Sequence, residues 1–308
     1  MRELIVICGP TASGKTAVAV ELCLAVGGEV ISADSMQIYR GMDTGTAKPT
    51  GEEMRGVPHH MLSFMPPNES CSAALYREKA IRMIEDVASR GKVPVVCGGT
   101  GLYIDALTRP LGFSAQSDEG VRGPLEQIAA QPGGKERLHA MLREADPESA
   151  ARLHVNAVRR VIRALEIFRL TGKTLTEQRA LDRTREGAYR GRLFGLSWPR
   201  EALYRRIDCR VDQMMAEGLP DEVCRLVEEG LSVRATAMQG IGYKEIARVL
   251  AGECSMDEAV ERIKQATRNY AKRQLTWFRR DERVVWIEAE GRSALDISRE
   301  ILKRKELP

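Results

Sequence analysis

Gly9-Pro10-Thr11-Ala12-Ser13-Gly14-Lys15-Thr16, entered from the apolar run Leu4–Cys8, is the stretch that decides the fold. It satisfies G-x-x-x-x-G-K-[ST] at every fixed position and lies between a short buried strand and a helix-forming segment, Thr16–Val26. Glycines at this spacing let the backbone wrap an anion with successive N–H groups pointing inward. The helix that follows adds its positive N-terminal end. Lys15 supplies a full charge to a distal phosphate, and the Thr16 hydroxyl is placed to hold Mg2+ bridging phosphate oxygens. The motif specifies a pyrophosphate-like group. It does not specify ATP.

Outward from this turn the first hundred residues alternate strand and helix. Gly27-Gly28 stops the first helix, and Glu29–Ser32 reads as a second strand. Tyr76–Arg90 is helical, with an apolar stripe at Ala80, Ile81, Ile84 and Val87, and Val93–Cys97 is a buried strand closed by Gly98-Gly99. The rhythm predicts an α/β, P-loop NTPase-like parallel sheet flanked by helices. After Pro110 it breaks. A loop over Ser114–Gly123 leads into helices at Pro124–Ala130, Gly134–Glu144, Pro147–Leu153, Asn156–Leu170 and Thr174–Arg183. Leu193–Leu196 returns to the sheet, followed by helices at Arg200–Glu217, Pro220–Glu229, Lys244–Ala251 and Asp257–Phe278, and a last strand at Val284–Ile287. The expected organisation is a catalytic P-loop domain of residues 1–112 and 191–308, with an all-helical insertion domain at 113–190.

Composition narrows the function classes. The 308 residues suffice for one large domain or two modest ones. No run approaches the roughly 18–20 apolar residues that cross a bilayer, and the apolar run at the N-terminus is too short for a signal sequence. A cytoplasmic, monomeric protein with no membrane partner is expected. The seven cysteines form no C-x-x-C pair and the four histidines have no ligand-spaced partners, so buried thiols are expected rather than zinc or disulfides. A net charge of +4 is too small to imply nucleic acid by itself, but segments 152–169 and 262–283 concentrate Arg and Lys.

The second strand ends in Ser32-Ala33-Asp34-Ser35-Met36-Gln37. Carboxyl ends of parallel strands face the ligand crevice, so Asp34 and Gln37 belong near the phosphate site. A carboxylate there either orders a metal-bound water or accepts a proton from an incoming nucleophile; the alternative is a turn Asp with no chemistry. The arginines of Arg159–Arg169 and of Asp257–Phe278 read equally as solvated faces of core helices, and Trp277 and Phe278 as core anchors.

The run Asp34–Pro49 (DSMQIYRGMDTGTAKP) resembles the tRNA dimethylallyltransferases, also called tRNA isopentenyltransferases. Pro58-His59-His60, Gly98–Tyr103 (GGTGLY), Arg159–Glu166 (RRVIRALE), Met238–Glu245 (MQGIGYKE) and Arg273–Phe278 (RQLTWF) carry the same resemblance in family order. It implies transfer of a dimethylallyl group from dimethylallyl diphosphate to N6 of the adenosine beside the anticodon of tRNA. The P-loop, Gly9 to Thr16, would then hold the donor's diphosphate, assisted by Arg210, with Mg2+ at Thr16. Asp34 is implied as general base, with Lys15 and Thr100 completing the catalytic set. Contacts to tRNA are implied for Asp34, Ser35, Met36, Gln37, Thr100 and Arg122. The same is expected of Arg159, Arg160 and Arg163 on the insertion, of Gln239, Gly240, Ile241, Gly242, Tyr243 and Lys244, and of Lys272, Arg273 and Gln274. The competing reading of the P-loop is an ATP-dependent small-molecule kinase, which leaves the later blocks without a role.

Overall fold

The structure is a computed structural model and describes residues 3–110, 118–183 and 187–305. The chain opens with β1 (Glu3–Cys8), α1 (Lys15–Val26) and β2 (Gly28–Ser32). β1 is buried beyond Glu3, as an unbroken apolar run in a two-sided sheet must be. Gly27 ends α1 in the left-handed conformation at φ 62°, where its N–H caps Cys23 O. A short α2 (Gly51–Met54) and a two-residue β3 (His59–His60) precede α3 (Ala73–Ser89), β4 (Val93–Gly98) and α4 (Gly101–Thr108).

Five helices follow: α5 (Glu119–Ala130), α6 (Gly134–Ala145), α7 (Pro147–Arg152), α8 (Val158–Thr171) and α9 (Leu175–Arg183). The chain then forms β5 (Arg190–Ser197), α10 (Arg200–Ala216), α11 (Leu219–Glu228) and a 3-10 turn at Ala237–Gln239. It closes with α12 (Tyr243–Leu250), α13 (Met256–Arg279), β6 (Val284–Glu288) and α14 (Ala294–Lys305).

Among the described residues six strands form one sheet in the order β3-β2-β4-β1-β5-β6, and every neighbouring pair is parallel. All carboxyl ends therefore share one edge, with β1 in the middle. That edge carries the P-loop after β1, Asp34 after β2, Gly98–Thr100 after β4 and Trp198 after β5. Gly98 is compulsory there, because a Cβ on it would come within 2.1 Å of Ala33 O. One core cluster joins α1, the sheet and α14 through Val20, Leu22, Val95, Phe194 and Ile301. A second gathers Tyr39, Met42, Val223, Tyr243 and Ile263 beneath the segment that follows β2.

The chain divides into two compact units, Met1–Thr108 with Tyr189–Pro308, and Arg109–Ala188. Arg190 pairs with Glu3 as the first residue of β5, so the sheet unit resumes before the expected position 191. The expected boundary at 112 and the Ser114–Ser117 part of the expected loop lie outside the described residues. Inside the helical unit, Leu125, Leu138, Leu142, Val161, Ile162 and Leu165 make the core. Glu166 is fully buried and accepts from Asp118 N at 3.0 Å and Arg163 Nη1 at 2.7 Å.

Two readings change here. Asp118 caps α5 through Val121 N, so the helix starts at Glu119 and Arg122 lies in its first turns rather than in a loop. Pro124 lies inside this helix, five residues past its start, so taking proline as the mark of a first helical turn places the start too late. The sequence reading also missed α4 and α14. The latter had a legible signal: Ser293 accepts from Asp296 N at 3.1 Å, and Ile297 and Ile301 are buried one turn apart.

Candidate active site

The P-loop is a strained turn clamped from several sides. Gly9 and Gly14 have φ of 142° and 88°, and Ala12 is held at φ 60°, where a side chain is disfavoured. Lys15 Nζ donates to Pro10 O at 2.6 Å across the turn. Trp198 Nε1 donates to Ser13 O at 3.1 Å, and Arg206 Nε to Ala12 O at 2.8 Å while its guanidinium stacks 4.4 Å from the Trp198 ring. From the opposite side Gln274 accepts from Thr11 N at 2.8 Å and donates to Gly99 O at 2.9 Å. Gln274 is 5% exposed, so the residue expected on an RNA-facing surface instead braces the phosphate turn.

A cavity of about 380 Å³ opens beside this turn. Thr11, Ala12, Lys15 and Thr16 line it from the P-loop, Asp34, Ser35, Met36 and Gln37 from the end of β2, and Arg210 from α10. Burial pushes the Lys15 ammonium below its ordinary pKa, and the positive charge of Arg210 pushes the same way, while Asp34 opposes both. Burial likewise lowers the Arg210 guanidinium, against the attraction of Glu53 and Asp34. Two partly buried cations lining one cavity call for an anion. The nearby Cys97 thiol is pushed up to about 11 by burial and stays protonated, so it is no nucleophile.

Asp34 is fixed by its own turn, its Oδ1 accepting from Met36 N at 2.9 Å and Gln37 N at 3.4 Å. The Gln37 amide is occupied, donating to Ala47 O at 3.0 Å and accepting from Ser32 Oγ at 3.2 Å, so it shapes the wall instead of offering a free hand. Thr100 stands behind the wall: its Oγ1 accepts from Ser35 N at 3.0 Å and donates to Ser35 Oγ at 3.3 Å. Tyr270 of α13 lines the cavity as well.

Gln239, Gly240, Ile241, Gly242, Lys244 and Arg273 also reach the cavity wall. Tyr243 does not. It is fully buried and donates to Glu222 Oε1 at 2.6 Å, which corrects its expected place on an RNA surface. Lys272 is exposed, and Arg159 and Arg160 are exposed on α8 of the helical unit. Arg163 and Arg122 both turn to Glu166, at 2.7 and 4.0 Å. Phe278 is core at 1% exposure, whereas Trp277 is 44% exposed, its Nε1 donating to Asp105 at 3.1 Å.

Glu222 is a second residue that local sequence could not assign. Its carboxylate accepts from Asp43 N at 2.8 Å, Thr44 N at 2.9 Å and Gly45 N at 3.1 Å, besides the Tyr243 hydroxyl. It thereby fixes the segment whose Gly45, Thr46 and Ala47 roof the cavity. Gly45 is required, because a Cβ would strike the Tyr243 ring at 2.6 Å. Glu222→Ala should cost about 1–3 kcal/mol of stability, the desolvation penalty of amides left unpaired. A thermal melt checks this, and the KM for the phosphorylated substrate should rise with it.

An anion turn at the centre of a parallel sheet edge, completed by partly buried cations, makes this an α/β protein of the P-loop class. Comparison with known proteins narrows it. A family model described as IPP transferase matches residues 37–281. A tRNA dimethylallyltransferase from Geobacter metallireducens is 50% identical over 290 residues, spanning 94% of each chain. The crystal structure of a tRNA delta(2)-isopentenylpyrophosphate transferase from Staphylococcus epidermidis is similar with a TM-score of 0.73 at 42% identity, covering 99% of both chains. That of a eukaryotic dimethylallyltransferase acting on tRNA reaches a TM-score of 0.79 at 29% identity, over 94% of this chain and 75% of that one. The chain belongs to the IPP transferase family of tRNA dimethylallyltransferases.

Proposed function

We propose that the protein transfers a dimethylallyl group from dimethylallyl diphosphate to N6 of the adenosine next to the anticodon in tRNA, releasing diphosphate. One observation carries this reading: a single cavity joins a cationic P-loop end and a carboxylate to an apolar wall of Val211, Met214, Leu219, Ile241 and Ile263. A diphosphate with a short branched hydrocarbon matches both ends. A nucleotide phosphate donor leaves the apolar wall unexplained.

In the reaction the allylic C1–O bond breaks, the N6–C1 bond forms, and N6 gives up a proton. The P-loop amides, Lys15 and Arg210 stabilise the charge that develops on the leaving diphosphate. Asp34 orients the amine and accepts its proton. The oxygen donors that line the cavity at Thr16 and Asp34 fit a hard cation that keeps most of its ligands as water and phosphate. Mg2+, held through the Thr16 hydroxyl with Asp34 beside it, would add positive charge against the diphosphate when bound.

The adenosine must leave its stack to enter the cavity, at a cost of a few kcal/mol. Lys244 and Arg273 at the wall and Lys272 on α13 are the cations placed to hold RNA phosphates in the sheet unit, and Arg159 and Arg160 in the helical unit. Among the described residues no helix is long and apolar enough to cross a membrane; action as a cytoplasmic monomer completes the proposal. The test is incubation with Mg2+, dimethylallyl diphosphate and an unmodified anticodon stem-loop. The expected result is a mass gain of one dimethylallyl group on the RNA. ATP consumption without that gain would replace this reading with a kinase.

A further inference from the structure

The apolar wall of the cavity has a direction and an end. Helix α10 touches the P-loop where Arg206 bonds Ala12 O. Running away from that contact it presents Arg210, then Val211 and Met214, to the cavity. Met214 lies about two turns beyond Arg206, so the wall changes from cationic to apolar with distance from the phosphate turn. The helix ends at Ala216, Gly218 takes a left-handed φ of 93°, and Leu219 opens α11 as the last residue of this row to line the cavity. Leu219 is fully buried. Its Cδ1 lies 2.8 Å from where a Cβ on Gly45 would stand, and its Cδ2 lies 3.2 Å from where one on Gly242 would stand. The roof at Gly45 and the wall at Gly242 therefore close directly on its two methyl groups.

Neither glycine has a side chain that could take over the space Leu219 occupies. The Tyr243 ring, the other neighbour of Gly45, is tethered by its hydroxyl bond to Glu222. A shorter side chain at 219 thus leaves room that its surroundings refill only in part. We propose that Leu219 is the stop that limits the donor to a single isoprene unit, by filling the space into which the second unit of geranyl diphosphate would extend. The two donors undergo the same chemistry: the allylic C1–O bond breaks, N6–C1 forms and diphosphate leaves. Only the room beyond the first unit can tell them apart. The inference rests on the prenyl diphosphate reading of the cavity, with the diphosphate at the P-loop and the hydrocarbon along α10.

A competition separates this role from a merely structural one. The anticodon stem-loop is incubated with Mg2+ and equal amounts of dimethylallyl and geranyl diphosphate, and the two mass gains on the RNA give the ratio of kcat/KM directly. The wild type should transfer dimethylallyl almost exclusively. Leu219→Ala should move the ratio toward geranyl by about ten- to a hundredfold, the range that apolar pockets reach in judging chain size. Leu219→Val, the milder truncation, should move it the same way by less, and it carries the test if the alanine variant does not fold. Leu226→Ala is the control: Leu226 is 2% exposed, belongs to the same core and sits about two turns along α11, away from the cavity. A thermal melt should show it destabilised like Leu219→Ala, with the donor ratio of the wild type. An unmoved ratio in the folded Leu219 variants, an equal shift in Leu226→Ala, or ready geranyl transfer by the wild type would overturn the inference and leave the prenyl transfer reading standing. A wild type that adds neither group to the RNA would overturn both.

Discussion

Asp34→Asn should lower the single-turnover rate of prenyl transfer by about 10²- to 10⁴-fold, the usual worth of a positioned general base. The substitution is informative because it preserves the local geometry. Both turn bonds of Asp34 fall on Oδ1, from Met36 N and Gln37 N, and an asparagine oxygen can accept both. What disappears is the charge and the capacity to take a proton. Asp34 also favours the charged forms of Lys15 and Arg210. Removing its carboxylate takes a negative charge away from an anion site, so the KM for dimethylallyl diphosphate should stay level or fall. RNA affinity, read by fluorescence anisotropy, should be unchanged. Loss of affinity with an intact chemical step would reassign Asp34 to substrate binding.

The parts of this site legible in sequence are those written in one continuous stretch. The strand–turn–helix around Gly9–Thr16 is a local device: glycine geometry, a following helix and one lysine suffice to specify it. Asp34 was legible because an apolar strand ends just before it, and strand ends in a parallel sheet face the ligand. The braces of the P-loop were not. Gln274 lies 263 positions from Thr11 and Arg206 lies 194 from Ala12, and no periodicity links them. Polar residues on basic helices read as solvated or RNA-facing, and only packing decides which are buried. Tyr243 and Gln274 went inward because each finds hydrogen-bond partners there, in Glu222 and in two backbone groups. Trp277 went the other way. Gly101 leaves room for the edge of its indole, since a Cβ there would come 2.3 Å from Trp277 Cδ1, yet the ring keeps an open face.

Gln274→Leu should cut kcat/KM for dimethylallyl diphosphate by about ten- to a hundredfold while the fold survives. Leucine has a similar volume and no polar atoms, so it fills the space but leaves Thr11 N–H and Gly99 O without their partners. Unpaired buried backbone groups cost about 1–3 kcal/mol each, and here the cost falls on the turn that must present its amides to the diphosphate. A Cβ on Gly99 would sit 2.1 Å from Gln274 Nε2, so the Gln274 side-chain amide packs directly on the Gly99 backbone. Arg273, the neighbour of Gln274 on α13, stacks 5.6 Å from the Tyr270 ring and lines the same cavity. The helix proposed to hold RNA thus bonds the diphosphate turn directly, and the substitution should weaken the coupling between the two substrates. The measurement is diphosphate affinity with and without bound stem-loop. Wild-type affinity should rise when RNA is present, and Gln274→Leu should show a smaller rise. An equal rise in both chains would make Gln274 a brace for the turn alone, with no part in linking the two substrates.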